Sequence, residues 1–542
     1  MSEHEFAITL DVGSSRANKT GSWRVERPIY VDRMPPCNDA CPAGENVQGW
    51  LYLAEEAKYE SAWRALVEQN PLPAVSGRIC FHPCENACNR GQLDEAVGIH
   101  AVERFLGDAA IDGGWSFDPP SRKSEKRVLV VGSGPSGLSA AYHLARLGHE
   151  VEIFESSPAP GGMLRYAIPR YRLPREVLDA EIARIEALGV SITCNRRVDD
   201  VEDEMARAGF DAAFLGFGAQ LSHKTAIPAA DTSHIIDALD LLRSAEDSEP
   251  IEIGRRVVVY GGGDTAMDAA RTAKRLGATD AVIVYRRNRD KMPAHLVEFE
   301  EALSEGVTVR WLSTITEFAP GKVVVEKMEL DESGFPQPTG ELSELGADSV
   351  VLALGQDTDL SGVSHLDGVE ITGGTVKVDT EMMTGRPGVF AGGDMVPSER
   401  TATVAIGHGK KAARAIDRWL NGAETVERLR PELASFERLN TWYYADAPKS
   451  VQPELELARR QTGFEEVVFG LDESNALFEA RRCMSCGNCF ECDNCYGVCP
   501  DNAVSKLGPG NRYEINYDYC KGCGICVAEC PCGAIEMVPE LI

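Results

Sequence analysis

Two stretches of the chain repeat one order of elements: a buried strand, a glycine-rich loop, a helix and a second strand. The strands lie at 127–131 and 150–155 in the first unit, and at 256–260 and 281–285 in the second unit. Short, continuous apolar runs of this kind are typical of parallel strands that helices cover on both faces. The repeated alternation therefore predicts an α/β fold with two Rossmann-like domains.

A helical pattern precedes the two units. Apolar residues recur at three-to-four spacing around Trp50 and again around Trp63, which indicates amphipathic helices. A polar stretch at 121–125 follows two prolines and predicts a linker. Beyond the second unit, residues near 430–475 are charged and interrupted by proline, as expected of a connecting arm.

The chain is long and strongly acidic. Its 542 residues correspond to three or four domains at roughly 150 residues each. With 84 acidic and 55 basic residues the net charge is −29, which excludes nucleic acid and acidic membrane surfaces as partners. No apolar run approaches the roughly 18 residues of a membrane span, and the first residues lack the pattern of a secretion signal. We therefore expect a soluble, cytoplasmic protein.

The seventeen cysteines are the strongest chemical signal in the composition. Five lie between Cys37 and Cys88, eleven lie between Cys483 and Cys532, and Cys194 stands alone. Disulfide frameworks belong to small secreted domains, which this chain does not resemble. In a reducing compartment, two dense groups of thiols indicate metal sites, with iron or zinc as the metal.

The loop of the first unit has the spacing of a dinucleotide-binding loop. Gly132, Gly134 and Gly137 follow the first strand directly, where a tight turn and a close approach to a pyrophosphate require small residues. The N-terminus of the next helix then faces the phosphates. Glu155 ends the second strand, where a carboxylate accepts hydrogen bonds from ribose hydroxyls. This context predicts a bound dinucleotide rather than an ordinary tight turn.

The second unit repeats this spacing with Gly261, Gly263, Asp264 and Ala266. Its second strand runs into Arg286 and Arg287 instead of an acid. Two guanidinium groups attract a 2′-phosphate, which an acid would repel, so NADP(H) is favoured over NAD(H). The alternative is that the two arginines form a solvated basic turn.

A third stretch completes the pair of units. The apolar residues at 388–392 run into Gly393 and Asp394, and a helix start containing Thr403 follows. This stretch resembles the motif with which flavoproteins of two dinucleotide-binding domains close over FAD. The resemblance implies that Asp394 contacts the ribityl chain and that the helix start lies at the pyrimidine end of the flavin.

Two identical cysteine runs near the end of the sequence have the spacing of bacterial two-cluster ferredoxins. In such runs three thiolates wrap one [4Fe–4S] cubane, and the fourth, which precedes a proline, serves the other cluster. The first ferredoxin set is therefore Cys489, Cys492, Cys495 and Cys530. The second ferredoxin set is Cys499, Cys520, Cys523 and Cys526. Zinc is the alternative metal, but zinc sites rarely use this interlocked spacing.

The order of domains resembles the small subunit of NADPH-dependent glutamate synthase and the N-terminal part of dihydropyrimidine dehydrogenase. The similar stretches span about residues 25–420 and lie at 36–42, 77–88, 161–169 and 285–294. The resemblance implies FAD contacts at Gly162 and Met163. It also implies that the chain passes electrons between NAD(P)H and the iron–sulfur clusters of a partner enzyme.

The sequence departs from this family in one place. The family's N-terminal domain opens with a C-x-x-C pair, whereas residues 29–32 contain no cysteine here. We hypothesise that the C-terminal arm folds back and supplies the pair. The arm-linked set would then be Cys37, Cys88, Cys483 and Cys486. The acid-linked set would be Cys41, Cys80 and Cys84 with Glu103 as a fourth, non-thiolate ligand.

The alternative to this hypothesis is one N-terminal cluster, with Cys483 and Cys486 as spare thiols. Cys194 and Cys532 belong to neither arrangement, and we assign them to burial, the usual environment of free thiols. The expected segments are a helical iron–sulfur domain at 1–120, an FAD-binding domain at 121–250 and 385–430, an NADP(H)-binding domain at 251–384, an arm at 431–477 and a ferredoxin-like α+β domain at 478–542.

Hydride transfer requires neither a nucleophile nor a general base, so we expect no catalytic side chain. The motifs predict an FAD-dependent NAD(P)H oxidoreductase whose partner is a ferredoxin or the catalytic subunits of a larger redox complex, such as a 2-oxoacid:ferredoxin oxidoreductase. One alternative is the small subunit of a glutamate synthase. The other is a structural iron–sulfur scaffold, which the three flavin-type motifs disfavour.

Overall fold

The first unit folds around a parallel sheet of five strands. A computed structural model of the chain describes residues 19–540, apart from residues 224, 226, 230–233, 246–249 and 425–428. The strands lie in the order Val389–Ala391, Ala212–Leu215, Arg127–Val131, Glu150–Phe154 and Ser191–Thr193. Every neighbouring pair is parallel. The central strands are buried, which explains why their sequences are almost continuously apolar.

Five helices accompany this sheet: Pro135–Arg146, Met163–Tyr166, Arg175–Glu186, Val201–Ala208 and Ala402–Asn421. The last of them packs closely on the first. Gly409 lies at their crossing, where a Cβ would come within 2.2 Å of the carbonyl oxygen of Ser136. A larger residue would therefore force the two helices apart.

The second unit contains a second parallel sheet of five strands. Its strands lie in the order Thr308–Arg310, Asp280–Val284, Arg256–Gly261, Ser349–Ala353 and His234–Asp237. Its helices are Ala238–Ser244, Asp264–Arg275 and Leu296–Ser304. An antiparallel sheet of Ser313–Ala319, Lys322–Leu330 and Pro336–Gly346 follows in the chain. The two parallel sheets confirm the α/β fold class that the sequence predicts.

The second unit begins earlier in the chain than the expected boundary at residue 251. The strand His234–Asp237 pairs in parallel with Ser349–Ala353, although its position in the sequence places it with the first unit. Conversely, Val363 and Val376 pack in the core of the first unit. The apolar pattern of a strand shows that the strand is buried but not in which sheet it lies. Pattern analysis therefore cannot predict which unit these segments join.

The N-terminal domain is helical, as expected. Its helices are Pro36–Ala40, Val47–Glu55, Tyr59–Val67, Pro73–Ile79, Pro83–Asn86 and Ile99–Asp112. Trp50 and Trp63 are fully buried, and the ring of Trp63 stacks on Phe117 with centroids 5.5 Å apart. The three-to-four spacing of the tryptophans thus marks the faces that form this core.

The C-terminal region holds two short helices, Asn494–Val498 and Ile525–Ala528, and the strands Val504–Lys506, Tyr513–Ile515 and Ile535–Pro539. The last strand pairs antiparallel with Glu26–Tyr30, at the other end of the chain. The arm between the units and this region contains the helices Leu457–Arg460 and Glu473–Arg481. The N-terminal strand therefore forms a two-stranded sheet with the last strand of the C-terminal region, while Val504–Lys506 and Tyr513–Ile515 form another.

The remaining elements are short. Two-residue strands pair Leu221–Ser222 with Gln356–Asp357 and Ile371–Thr372 with Thr375–Val376. Turns of 3₁₀-helix lie at Thr20–Trp23, Asn89–Gln92, Arg289–Lys291, Gly393–Met395, Phe436–Arg438 and Thr441–Tyr443. Among the described residues, we find no helix with the length and apolar character needed to cross a membrane.

Buried ion pairs hold the helices of the second unit together. The side chains of Arg271, Arg275 and Glu305 are completely buried. Glu305 accepts hydrogen bonds from both guanidinium groups, at 2.8 Å from Arg271 and at 2.5 and 2.8 Å from Arg275. Burial raises the pKa of Glu305, but these hydrogen bonds outweigh it and hold the pKa below its usual value. The carboxylate therefore remains ionised in the folded chain.

We expect Glu305→Gln to lower the free energy of unfolding of the second unit by about 3 kcal/mol, because it removes the buried acid that pairs with Arg275. Arg271 loses the same partner but keeps its pairs with Glu298 and Glu301. Urea denaturation followed by tryptophan fluorescence measures the change. The difference in the free energy of unfolding between Glu305→Gln and the natural chain should become smaller as the pH falls through the pKa of Glu305 in the folded protein. The carboxylate is then protonated in the natural chain as well.

Glu344→Gln is the matched control, because Glu344 pairs with Lys322 on the exposed face of the antiparallel sheet. Surface pairs of this kind contribute little, so the urea midpoint should not move. Equal destabilisation by the two substitutions would contradict the role assigned to the buried pairs.

Candidate functional site

The loop of the first unit closes tightly at the edge of a cavity of about 470 Å³. Gly132 has φ of +96°, and a Cβ on Gly137 would lie 1.9 Å from the carbonyl oxygen of Gly132. A Cβ on Gly134, by contrast, would meet no atom within 4 Å, and this residue lines the cavity. The backbone is therefore bare where a pyrophosphate would approach, and the loop fits the phosphates of FAD.

Glu155 lies in the same cavity wall but already has protein partners. Its carboxylate accepts hydrogen bonds from the backbone N–H of Ser133 at 2.8 Å and from the Ser133 hydroxyl at 2.6 Å. The other oxygen accepts from the backbone N–H of Ser157 at 2.7 Å. Glu155 thus ties the glycine loop to the end of the second strand, and it borders the cavity where a ribose would lie.

The other predicted FAD contacts surround the same loop. Gly162 has φ of +54°, and a Cβ there would come within 2.8 Å of the Cα of Gly134. Met163, Gly393 and Asp394 also line the cavity. Burial raises the pKa of the Asp394 carboxyl, so this acid lies where a hydrogen bond to a hydroxyl would satisfy it.

Thr403 has a different position from the one that the motif implies. Its side chain is buried, and its Oγ1 lies 3.8 Å from the Sγ of Cys80. The cap of the same helix is Thr401, whose hydroxyl accepts a hydrogen bond from the backbone N–H of Val404 at 3.2 Å. Thr401 lines the cavity, so the helix start meets it through Thr401 and Ala402.

The loop of the second unit is built in the same way. Gly261 has φ of +153°, and a Cβ there would lie 2.1 Å from the carbonyl oxygen of Ala353. A Cβ on Gly263 would meet open space. Ala266 is fully buried, and Asp264 accepts hydrogen bonds from the backbone N–H and the ring of His295 at 2.8 and 2.9 Å.

Arg286 and Arg287 follow the second strand of this unit, as predicted. Arg286 is exposed and Arg287 is half-buried. Among the described residues, the buried Nε of Arg287 has no hydrogen-bond partner. An unpaired guanidinium nitrogen just after this strand fits an anionic group such as the 2′-phosphate of NADP(H).

Sequence analysis did not find the arginines that line the cavity: Arg172, Arg196, Arg197, Arg243 and Arg400. They come from separate loops and helices, so no sequence spacing connects them. Arg172 Nη1 donates to Asp268 Oδ2 at 2.7 Å, which joins the first unit to the second. Arg243 Nε is buried without a partner in the described part of the chain. Five acids line the same cavity: Glu155, Asp264, Asp268, Asp359 and Asp394. The lining is thus balanced in charge within a chain of net charge −29, so it opposes bound phosphates less than the acidic surface does.

The arm-linked set comes together although 395 residues separate Cys88 from Cys483 in the sequence. Cys37, Cys88, Cys483 and Cys486 line one small cavity. Burial raises the pKa of the Cys37 thiol well above its usual value, and the nearby thiols of Cys483, Cys88 and Cys486 raise it further. Four free, half-buried thiols that line one cavity fit a [4Fe–4S] cluster, which stabilises them as thiolates.

The acid-linked set lies against the cavity of the first unit. Burial, the neighbouring thiols Cys80 and Cys41, and nearby Glu103 raise the pKa of Cys84. Asn70 donates hydrogen bonds to Glu103 at 3.1 Å and to Glu45 at 2.9 Å. Glu45, which sequence analysis did not single out, is therefore a second carboxylate beside these thiols.

The two ferredoxin sets also form as the spacing predicts. Cys499, Cys520, Cys523 and Cys526 line one small cavity. In the other set, burial raises the pKa of Cys495 to about 12, and the nearby thiols of Cys489, Cys492 and Cys530 contribute to the increase. Cys532 is buried with its Sγ 3.7 Å from the Sγ of Cys530. Each run thus contributes its fourth cysteine to the opposite set.

Comparison with protein-family models identifies three matches along the chain. The pyridine nucleotide-disulphide oxidoreductase model matches residues 126–409. The model of dihydropyrimidine dehydrogenase domain II, 4Fe–4S cluster, matches residues 26–115. The 4Fe–4S binding domain model matches residues 513–536. These matches confirm iron–sulfur clusters rather than zinc at the two ends of the chain, and they confirm FAD and NADP as the cofactors between them.

Three curated relatives extend the comparison. The NADP(+)-dependent formate dehydrogenase subunit beta of Moorella thermoacetica is 36% identical over 499 residues, which cover 83% of this chain and 70% of that protein. The NADPH-Fe(3+) oxidoreductase subunit beta of Geobacter sulfurreducens is 32% identical over 527 residues, 85% of this chain and 77% of that protein. The NAD-dependent dihydropyrimidine dehydrogenase subunit PreT of Escherichia coli is 35% identical over 392 residues, 72% of this chain and 92% of that protein.

The arrangement of the thiols predicts four clusters and therefore about sixteen iron atoms in each reconstituted chain. We expect Cys483→Ala to remove a ligand of the arm-linked set and to lower the iron content to about twelve. Iron and protein analysis of the anaerobically reconstituted chain measures both values.

Cys194→Ala is the control, because Cys194 belongs to none of the four sets and should leave the iron content unchanged. About twelve iron atoms in the natural chain would contradict the four-cluster arrangement. An unchanged content in Cys483→Ala would contradict the assignment of the arm-linked set.

Proposed function

The chain belongs to the pyridine nucleotide-disulphide oxidoreductase family, and from this premise we propose that it is the NADPH-reacting subunit of a ferredoxin-linked redox complex. It is an FAD- and iron–sulfur-dependent oxidoreductase of NAD(P)H. Its partner would be the catalytic subunits of that complex or a ferredoxin.

One observation carries this proposal: the flavin cavity and the acid-linked set share a wall. Ile79 and Phe81 line the cavity, and Cys80 lies between them in the chain. The ring of Phe81 stacks on His295 of the second unit, with centroids 3.3 Å apart. The acid-linked set is therefore adjacent both to the FAD site and to the unit that would hold NADP(H).

Short stretches of chain join each thiol set to the next. Cys84 and Cys88 join the acid-linked and arm-linked sets, and Cys489 of the first ferredoxin set is the third residue after Cys486. A stretch of three or four residues spans at most about 15 Å. Cys523 of the second ferredoxin set is exposed. The sets thus form a series that begins at the cavity and ends at the surface.

The residues of the chain bind and orient the cofactors. The two glycine loops would hold the pyrophosphates, Asp394 would accept hydrogen bonds from the ribityl hydroxyls, and Arg287 would pair with the 2′-phosphate of NADP(H). FAD supplies the conversion between two-electron hydride transfer and one-electron transfer, and the clusters supply one-electron carriers. The cavity walls would restrict water and orient the bound cofactors, so we expect no side chain to act as an acid or base.

The identity of the partner is the finer part of the proposal. Two relatives are named as beta subunits of an NADP(+)-dependent formate dehydrogenase and of an NADPH-Fe(3+) oxidoreductase. Their names share a pyridine nucleotide and a multisubunit enzyme, while the second substrates differ. We therefore expect the nicotinamide chemistry to be a property of this chain and the second substrate to be set by its partner, with a 2-oxoacid:ferredoxin oxidoreductase as one such partner.

The reconstituted chain should lose its oxidised flavin absorbance when it is mixed anaerobically with NADPH, and it should then reduce an artificial dye. Stopped-flow absorbance measures the first reaction, and steady-state dye reduction measures the second. Failure of both NADPH and NADH to reduce a flavin-loaded chain would contradict the proposal.

Isolation of the native complex and identification of its other chains tests the expected partner.

We expect Arg287→Ala to raise the KM for NADPH about tenfold and to leave the KM for NADH nearly unchanged. The guanidinium group makes a charge-assisted hydrogen bond only to the 2′-phosphate, which NADH lacks. Dye reduction with each nucleotide measures the two constants.

Arg289→Ala is the control, because the Arg289 guanidinium lies over the ring of Phe299, 5.1 Å from its centroid, and should not contact the phosphate. Equal increases for NADPH and NADH in Arg287→Ala would show that Arg287 supports the unit without recognising the 2′-phosphate.

A further inference from the structure

The hydroxyl of Tyr30 contacts a cysteine that lies 465 residues further along the chain. Its Oη is 3.2 Å from the Sγ of Cys495, a member of the first ferredoxin set. A cluster-bound cysteine is a thiolate, which has no proton to donate. The hydroxyl must therefore be the donor in this hydrogen bond.

Several contacts fix the orientation of Tyr30. It ends the strand Glu26–Tyr30 and faces Ile535 on the paired strand. Its ring stacks on Tyr513 with centroids 6.5 Å apart and planes inclined by 22°. Tyr517 also holds the strand, by donating its hydroxyl to the carbonyl of Pro28 at 2.9 Å. The hydroxyl is thus aimed at Cys495 by pairing and stacking rather than by chance.

Other donors near this set come from its own segment. The backbone N–H of Ala534 donates to Cys530 Sγ at 3.4 Å, and Cys532 lies beside the same atom. These donors come from the cysteine run itself. Tyr30 is different because the N-terminal strand brings a side-chain donor to the set from outside it.

We propose that Tyr30 is a positioning residue that raises the reduction potential of the cluster in the first ferredoxin set through its hydrogen bond to Cys495. Reduction adds one electron to the cluster and increases the negative charge on its sulfur ligands. A donor to a ligand sulfur stabilises the reduced form more than the oxidised form. The N-terminal strand would thereby set a property of the C-terminal region.

This inference rests on the proposed function only in placing a cluster in the first ferredoxin set. Potentiometric titration with dithionite and mediators, followed by electron paramagnetic resonance, tests it without NADPH. In Tyr30→Phe, the equilibrium constant for reduction of one cluster should fall about tenfold, which is about 59 mV for one electron. The other midpoints should stay in place, and the iron content should equal that of the natural chain.

Tyr513→Phe is the matched control. Tyr513 stacks on Tyr30, but its hydroxyl donates to Asp493 Oδ1 at 2.7 Å instead of to a cysteine. Loss of the Tyr513 hydroxyl should leave the reduction midpoints of all clusters unchanged. Equal shifts in the two variants, or unchanged midpoints in Tyr30→Phe, would overturn the proposal.

A second variant covers the case in which Tyr30→Phe fails to fold or to load iron. Incorporation of 3-fluorotyrosine at position 30 keeps the ring and the hydroxyl but makes the hydroxyl a stronger donor. The same midpoint should then rise. An unchanged midpoint in the chain with 3-fluorotyrosine would contradict the hydrogen bond.

Discussion

The return of the C-terminal segment to the N-terminal helices is the constraint on which the other features depend. Buried ionic contacts hold this junction. Arg482 is 2% exposed and donates to Glu479 at 2.5 Å and to Asp94 at 3.2 Å. Glu479 is fully buried and also accepts from the backbone N–H of Gly98 at 2.6 Å. Removing one partner of such a pair leaves an uncompensated charge, so the junction tolerates little displacement. Cys483 directly follows Arg482, and the arm-linked set forms only because this junction is fixed.

The arm that leads to this junction also connects the domains. Glu466 pairs with Arg78 at 2.7 Å, one residue before the cavity wall at Ile79. Gln461 donates to the backbone carbonyl of Glu305 in the second unit at 2.8 Å. Because one segment contacts the N-terminal domain and the second unit, it limits how far the thiol sets can move from the cavity. Electron transfer between redox groups requires short distances, and a fixed arm maintains them.

Charge is distributed unevenly between the surface and the cavity. The chain has a net charge of −29, yet the cavity is bordered by arginines. Some of these are neutralised by acids, as when Arg172 pairs with Asp268 across the two units. Another, Arg243, keeps a nitrogen without a partner among the described residues. The cavity lining balances its arginines with an equal number of acids. It therefore opposes anionic dinucleotides less than the acidic surface around it does.

The sequence alone determined the local chemistry: the glycine loops after Val131 and Tyr260, and the interlocked cysteine runs from Cys489 to Cys530. These features are readable because backbone turns and metal geometry demand particular residues at short, constant spacings. Only the tertiary structure decided which sheet contains the strand His234–Asp237 and that Glu45 and the cavity arginines belong to the site. It also decided that the Tyr30 hydroxyl contacts the Cys495 sulfur. Such contacts join residues hundreds of positions apart, and no periodicity records them, because they depend on how whole domains pack rather than on how one segment folds.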